Sequence, residues 1–260
     1  MGILNITPDS FYDGRRYNDE DSVLRQCGKM LGEGATFIDL GAYSSRPGAD
    51  NISEDEELKR MLPIVKLLLR EFPNVLLSID TFRSEVAEQS LAIGAAIVND
   101  ISAGKQDERM MSVVAKHKAP YIMMHMRGTP KTMQDLCDYD DIIIDIRHYL
   151  SKQIAKAHHS GINDIIVDPG FGFSKNRQQN FEVLQYLDLF KTFKLPILAG
   201  LSRKSMIYKT LDIDASSALN GTTALNMIAL DRGAKILRVH DVNEAMECIK
   251  LFTEFNVKNQ

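Results

Sequence analysis

The stretch VLLSID (75–80) is a near-continuous run of apolar residues that ends in a carboxylate. Runs of this length and composition are typical of strands that are buried on both faces, as in a parallel sheet. Seven further runs of this kind occur along the chain: GILNIT (2–7), FIDLGA (37–42), IVNDIS (97–102), YIMMHM (121–126), IIVDPG (165–170), PILAGLS (196–202) and ILRVHD (236–241). The sequence therefore predicts eight parallel strands.

Helical patterns lie between these runs. Apolar residues recur close to every 3.6 positions in residues 54–72, and Ser53 before four acidic residues predicts an N-cap. Residues 141–161 end in Gly161, which is typical of a helix end, and residues 216–234 are apolar enough to pack against a neighbour or a partner subunit. Repeated strand–helix units without a linker predict an α/β fold, a (β/α)8 TIM barrel forming a single domain over residues 1–260. A doubly wound open sheet is the alternative.

Length, composition and charge agree with this class and exclude others. The 260 residues suit one such barrel, which typically has about 250. The 44% apolar and 25% charged content excludes collagen-like, disordered and disulfide-scaffold proteins, and the net charge of −4 argues against a nucleic-acid partner. No stretch is long and apolar enough for a membrane span, and the N-terminus lacks a signal peptide pattern. Because the three cysteines have no CxxC spacing, we expect reduced thiols and a cytoplasmic location.

Polar residues stand at or near the end of every predicted strand. In a barrel, the C-terminal strand ends gather at one face, where active sites lie. The alternative is that strand ends are polar only because loops follow them. The pattern predicts one polar mouth lined by Asn5, Asp39, Asp80, Asn99, His125, Asp168, Ser202 and His240.

One grouping in this mouth suits a flat heterocycle. Asp80, Asn99 and Asp168 offer two carboxylates and an amide, and a carboxylate accepts two parallel N–H bonds from an amidine-like edge such as that of an aminopyrimidinone. Lys204 lies just after the seventh strand and would donate to a ring carbonyl or nitrogen. For Asp80 or Asp168 alone, a buried carboxylate that caps a loop is the alternative.

A second grouping is cationic. Arg238 and His240 alternate with apolar residues in the eighth run, so both are predicted on one face of that strand. With Arg46, they would suit a phosphate or diphosphate. Alternatively, Arg238 is an internal salt-bridge partner of Asp39 or another carboxylate.

The loops 5–19 and 41–53, rich in Gly, Pro, Ser, Asn and Asp, are predicted to be mobile lids, with ordinary surface connections as the alternative.

Eight ordered motifs carry a resemblance to a known family. They are NITPDSFYDG (5–14), GAYSSRPGA (41–49), SIDTFRSEVA (78–87), NDIS (99–102), MHMRG (124–128), DPGFGF (168–173), LSRKS (201–205) and RVHDV (238–242). Over almost its whole length the chain resembles the pterin-binding dihydropteroate synthases of folate biosynthesis. The resemblance implies a (β/α)8 barrel, a homodimer and a Mg²⁺ requirement. The implied reaction condenses 6-hydroxymethyl-7,8-dihydropterin diphosphate with p-aminobenzoate, releasing diphosphate through a carbocation-like dissociative substitution.

The resemblance also implies roles for individual residues. The pterin pocket would comprise Asp80, Asn99, Met124, Asp168 and Lys204. The p-aminobenzoate pocket, for which sulfonamides compete, would comprise Ser45, Arg46, Pro47, Phe173, Lys204 and Ser205. The diphosphate site would comprise Asn5, Arg46, Arg238 and His240, with Asn5 also a Mg²⁺ ligand, and the catalytic set would be Asp80, Lys204, Arg238 and His240.

The chain departs from the family pattern at three points. Tyr43 and Ser45 stand where the family more often has Glu and Thr. The loop that holds them lacks the extra residues of sulfonamide-insensitive relatives, so we expect sulfonamide sensitivity. The chain opens directly at MGILN, where relatives usually have a dozen or more preceding residues, and a trimmed start is expected.

Three other functions fit parts of the pattern. A methyltransferase that takes methyl from methyltetrahydrofolate to a corrinoid protein would share the pocket of Asp80, Asn99 and Asp168, but would not need the cationic set. A Schiff-base aldolase would use Lys204, which would have to be desolvated and unpaired. A barrel without catalytic activity would not need ionisable groups concentrated at one rim.

Overall fold

The computed structural model describes residues 1–6, 16–43 and 52–257, with the side chains of 16–19 left out. In these residues, strands alternate with helices along the chain. The strands are β1 (Gly2–Asn5), β2 (Phe37–Gly41), β3 (Leu76–Asp80), β4 (Ile97–Asp100), β5 (Tyr121–Met124), β6 (Ile165–Asp168), β7 (Leu198–Ala199) and β8 (Ile236–Leu237). The helices are α1 (Arg16–Gly32), α2 (Glu54–Glu71), α3 (Ser84–Ala92), α4 (Met110–His117), α5 (Ile142–His159), α6 (Arg177–Gln185), α7 (Ser205–Leu211), α8 (Leu219–Asp231) and α9 (Val242–Asn256).

The strands pair in chain order, and all pairs are parallel. Strands β1 to β6 form one sheet and β7 and β8 a second. Single parallel bridges join the sheets at both edges, Val167 to Ile197 and Gly2 to Val239. A doubly wound sheet would reverse its strand order partway, whereas these strands keep chain order and β8 returns to β1. The predicted α/β barrel is confirmed, although its last two strands join their neighbours through single bridges.

The strand register places the predicted site residues side by side. Asp80 pairs with Asn99 across β3 and β4, and Met124 pairs with Asp168 across β5 and β6. In a parallel sheet of this kind, the four side chains therefore end at the same edge of the barrel. This edge is the polar mouth that the sequence predicts.

The predicted eighth strand is longer than the observed one. β8 ends at Leu237, so Arg238 and His240 lie just beyond it. The ladder is short because the neighbouring strand β7 ends at Ala199. The Ala199 oxygen accepts the last hydrogen bond between the two strands, from the Arg238 amide at 3.0 Å. The prediction that both residues lie within the strand is therefore wrong in its boundary.

The helix predictions hold within a few residues. Ser53 is the N-cap of α2, because its Oγ accepts a hydrogen bond of 3.2 Å from the Glu56 amide. The predicted helix 141–161 is α5, and the predicted helix 216–234 is α8 behind a short 3-10 turn. Cys27, Cys137 and Cys248 are free thiols. Across the described residues, no helix has the length and apolarity that crossing a membrane requires.

Candidate active site

A network of two carboxylates and one guanidinium lies at the centre of the mouth. Arg238 donates from Nε to Oδ2 of Asp39 at 2.6 Å and from Nη2 to Oδ2 of Asp80 at 2.7 Å. Asn99 donates from Nδ2 to the same Asp39 oxygen at 3.1 Å. The fully buried Asp39 at β2 therefore holds both Arg238 and Asn99 in place. This arrangement matches the alternative of an internal salt bridge between Arg238 and Asp39.

The surroundings of Asp80 raise the pKa of its carboxyl group. Burial raises the pKa of Asp80, Arg238 opposes this rise, and the nearby Asp39 carboxylate adds to it. A carboxylate whose pKa is raised by burial in a cleft beside a specific charge partner is typical of a functional site. Asp80 is thus positioned to interact with a cationic or hydrogen-bond-donating ligand.

Asp168 and Lys204 form the other charged side of the mouth. Asp168 ends β6, and its Oδ1 accepts a hydrogen bond of 2.7 Å from the Gly170 amide. Lys204 precedes α7, donates to the Phe171 carbonyl and lies with Nζ 5.1 Å from the ring centre of Phe173. Burial lowers the pKa of Lys204 to about 8, with Asp168 opposing the shift. Lys204 is therefore a cation near neutral pH.

Asn5 lies close to the central network. Asn5 ends β1 and pairs with Gly41 at the end of β2. A Cβ added at Gly41 would lie 3.4 Å from Oδ1 of Asn5 and 3.6 Å from Oδ2 of Asp80, so Gly41 separates these two oxygen atoms. The amide oxygen of Asn5 thus lies near the carboxylate of Asp80.

The remaining predicted residues lie around this centre. Nδ1 of His240 lies 2.9 Å from Oγ of Ser202, which joins the ends of the last two strands. Met124 belongs to a small apolar cluster against which Phe173 packs. Ser205 is exposed at the first position of α7. The predicted Ser45, Arg46 and Pro47, and the greater part of the predicted lid loops 5–19 and 41–53, lie outside the described residues.

His125 does not line the mouth, contrary to the prediction. It is buried, with its ring centre 4.9 Å from that of Tyr149 on α5. Successive residues of a strand point to opposite faces, and Met124 already faces the pocket cluster. The next side chain, His125, therefore faces the helix layer, where its Nδ1 lies 3.1 Å from Nζ of Lys175.

Sequence reasoning misses two buried charged residues near the mouth. Asp100 follows Asn99 and accepts four hydrogen bonds, one of them from the Tyr121 hydroxyl. Lys175 lies in the turn after β6 and is almost completely buried. The alternation of side chains along β4 was a signal that could have identified Asp100, because it places this residue on the opposite face from Asn99. No periodic signal in the sequence marks a loop residue such as Lys175.

The described residues offer oxygen atoms for a metal ion without forming a dedicated cage. Among them, no group of three or more His, Cys, Asp or Glu side chains is arranged to hold a metal. Mg²⁺ usually keeps several waters and binds through one or two protein oxygens together with substrate phosphates. The amide oxygen of Asn5 therefore fits a Mg²⁺ ion that arrives with a diphosphate.

Comparison with known proteins gives consistent matches over nearly the whole chain. The family described as pterin binding enzyme matches residues 1–240. A dihydropteroate synthase from Synechocystis sp. is 45% identical over 254 residues, which cover 96% of this chain and 88% of the relative.

Two solved structures show the same architecture. A dihydropteroate synthase from Clostridium difficile, solved in the presence of pteroic acid, has a TM-score of 0.92 and 38% identity, covering 98% of this chain and 95% of that one. A Yersinia pestis dihydropteroate synthase with a sulfonamide drug complex has a TM-score of 0.92 and 41% identity, covering 98% and 93%.

Proposed function

Because the chain belongs to the dihydropteroate synthase family of pterin binding enzymes, we propose that it condenses 6-hydroxymethyl-7,8-dihydropterin diphosphate with p-aminobenzoate. The products are 7,8-dihydropteroate and diphosphate. The observation that carries the proposal is the meeting of Asp80, Asn99, Asp168, Lys204 and Arg238 at one end of the barrel. This set combines acceptors for the edge of a pterin with cations for its charged leaving group.

The pterin would lie between the two carboxylates. Its amidine-like edge donates N–H groups, and carboxylates accept such groups in pairs. We assign the pterin pocket to Asp80, Asn99, Met124, Asp168 and Lys204. Burial raises the pKa of Asp168 as well, and the charge of Lys204 opposes the rise, so each carboxylate of the pocket has a cation in its vicinity.

The reaction would proceed by early departure of diphosphate. Breaking the C–O bond leaves a positive charge on the methylene carbon that is delocalised into the dihydropterin, and the Asp80 carboxylate would stabilise it. Arg238 and His240, together with Arg46, would stabilise the departing anion. The nitrogen of p-aminobenzoate is unprotonated near neutral pH, so the attack requires no strong general base and the ammonium product loses its proton to water.

Asn5 would hold Mg²⁺ through its amide oxygen at the diphosphate end of the pocket. The bound ion would supply charge neutralisation for the diphosphate oxygens. Arg238 would supply a further positive charge, because its bonds to Asp39 and Asp80 hold its guanidinium at the centre of the mouth.

The p-aminobenzoate pocket would be formed by Phe173, Lys204 and Ser205 together with Ser45, Arg46 and Pro47. Phe173 and Lys204 already lie against each other, giving an apolar face for the benzene ring beside a cation for its carboxylate. Sulfonamides present a similar aminophenyl group with an anionic end and would compete for this pocket. The Yersinia pestis relative with a sulfonamide drug complex supports the proposal that this chain binds sulfonamides.

An assay of diphosphate release tests the proposed function. We expect release from the pterin diphosphate that depends on p-aminobenzoate. A corrinoid methyltransferase would instead transfer methyl from methyltetrahydrofolate, and release that is independent of p-aminobenzoate would overturn the proposal. A Schiff-base aldolase would form a borohydride-trapped adduct on Lys204, which we do not expect because Lys204 donates to the Phe171 carbonyl and so is not unpaired.

We also propose a homodimer and a cytoplasmic location. Leu211, Ile213 and Ile228 are exposed apolar residues on or beside α7 and α8, which supports an interface there. The three free cysteines support a reducing compartment. Analytical ultracentrifugation would test the dimer, and a monomer at micromolar concentration would contradict it.

A further inference from the structure

The turn after β6 connects the two substrate pockets. It begins at Asp168, on the pterin side, and includes Phe173, on the p-aminobenzoate side. Its backbone is unusual, because residues 170, 172 and 174 all have positive φ angles. Ser174 has a φ of 45°. For any residue other than glycine this conformation is unfavourable in free energy, and it persists only where surrounding contacts hold it.

Lys175 provides the contacts at the centre of this turn. Its Nζ donates to the carbonyl oxygens of Gly170 at 2.8 Å and Phe173 at 2.9 Å, and lies 3.1 Å from Nδ1 of His125. Both the charged and the neutral form of a lysine side chain have at least two N–H donors, so the two carbonyl bonds form in either protonation state. Burial, followed by the charge of Lys175, holds the pKa of His125 well below its usual range, so the ring is neutral and carries one acceptor nitrogen.

The two carbonyl contacts of Lys175 lead to substrate-facing groups. The peptide of Gly170 is held on both sides, because its oxygen accepts from Lys175 and its amide donates to Oδ1 of Asp168 at 2.7 Å. The carbonyl of Phe173 is held directly, and the ring of Phe173 contacts Lys204. Fixing this turn therefore fixes a carboxylate in one pocket and an aromatic ring in the other.

We propose that Lys175 is a positioning residue for both substrates: its buried Nζ, which donates to two carbonyl oxygens of the turn, anchors residues 169–175 and so sets Asp168 and Phe173 in place. This inference rests on the proposed function, because the turn matters to catalysis only where the pterin and p-aminobenzoate bind beside it. The side chain of Lys175 does not contact substrate and acts through the backbone of its own turn.

Three proteins test this role: the wild type, Lys175→Met and the control Lys152→Met, which removes an exposed lysine from α5. Methionine keeps much of the apolar length of the side chain and removes all three donors. Calorimetry measures pteroic acid affinity, and steady-state assays of diphosphate release give kcat and both KM values. Circular dichroism establishes that each variant is folded.

We expect Lys175→Met to weaken pteroic acid binding and to raise both KM values by about 10-fold to 100-fold, as small misplacements of positioned groups do. Lys152→Met should behave as the wild type. A merely structural role for Lys175 would reduce the folded fraction, and with it the apparent kcat, but leave both KM values and the affinity unchanged. That second pattern would overturn the inference.

Two further outcomes are decisive. If Lys175→Met does not fold, Lys175→Gln replaces it, because its amide retains two of the three donors, and a smaller rise in both KM values is expected. Wild-type KM values for a folded Lys175→Gln would then overturn the inference. Failure of the wild type to bind pteroic acid or to release diphosphate would instead overturn the proposed function, and the inference with it.

Discussion

Arg238 donates to Asp80 at 2.7 Å across a separation of 158 residues in sequence. The same guanidinium also bonds to Asp39, so one planar fork bridges two carboxylates from neighbouring strands. Arg238 thus fixes the orientation of the Asp80 carboxylate and also opposes the rise of its pKa. Asp80 is the carboxylate proposed to stabilise the developing cation. The proposed diphosphate and pterin regions of the site therefore share one side chain, that of Arg238.

Replacing Arg238 tests this coupling. We expect Arg238→Ala to cost about 2–4 kcal/mol of transition-state stabilisation, because a charge-stabilising donor is lost and Asp39 is left as an unpaired buried carboxylate. Arg238→Lys keeps the charge but lacks the fork, so it should recover only part of kcat/KM. Steady-state kinetics with both substrates measures the effect. Full recovery in Arg238→Lys would show that charge alone matters.

The fold could be predicted from the sequence because buried parallel strands have a simple pattern. Runs such as VLLSID (75–80) are apolar on both faces, and their polar ends fall at one edge of the barrel. The pattern shows that polar residues lie near the strand ends, but it does not show which face of the strand each side chain occupies. For this reason the sequence predicts His125 in the mouth. Lys175 was missed because only the folded turn brings its ammonium to two carbonyl oxygens and an imidazole.

The hydrogen bond between Tyr121 and Asp100 should contribute measurably to stability. The Tyr121 hydroxyl lies 2.6 Å from Oδ2 of Asp100, and both residues are fully buried. Tyr121→Phe should lower the free energy of unfolding by about 1.5–3 kcal/mol, the usual cost of losing a hydrogen bond to a charged group. Denaturant titration measures it, with Tyr186→Phe at an exposed position as the control. A change within about 0.5 kcal/mol, as for ordinary surface substitutions, would contradict the expectation.

Gly170 should not tolerate a side chain. Its φ is +74°, and a Cβ there would lie 2.1 Å from the backbone oxygen of His125. Gly170→Ala should therefore destabilise the protein by at least about 2 kcal/mol and weaken pterin binding, since the Gly170 amide holds Asp168. Gly32→Ala is the matched control, because nothing lies within 4 Å of a Cβ at the end of α1. Thermal unfolding of both variants checks this, and equal behaviour would contradict the turn geometry.

Sulfonamides should inhibit by competition with p-aminobenzoate. Phe173, Lys204 and Ser205 form the described part of the pocket that both molecules would share. An increasing sulfonamide concentration should raise the apparent KM for p-aminobenzoate and leave kcat unchanged. Diphosphate release measured at several concentrations of both compounds distinguishes this pattern. Full activity at high drug concentration and low p-aminobenzoate would contradict the pocket assignment.

The pH dependence of stability should reveal the burial of Lys175. Burial lowers the pKa of Lys175 to about 7 in the folded protein, whereas an unfolded lysine has a pKa of about 10.4. Between these values the unfolded chain binds a proton that the folded chain has lost, so raising the pH favours the folded state. The groups whose charge acts on this shift are Asp168 and Cys137, which oppose it, and Lys204 and Arg127, which add to it. The neutral His125 contacts Nζ directly.

The comparison with Lys175→Met isolates this contribution, because other titrating groups are present in both proteins. From pH 7 to pH 9, the wild type should gain unfolding free energy relative to the variant by about 1.4 kcal/mol per pH unit. Below pH 7 the lysine is protonated in both states, so the difference between the two proteins should level off. Denaturant titrations at several pH values measure the difference. A difference that is constant from pH 6 to pH 9 would mean that Lys175 keeps its proton throughout, held by its three acceptors against the cost of burial.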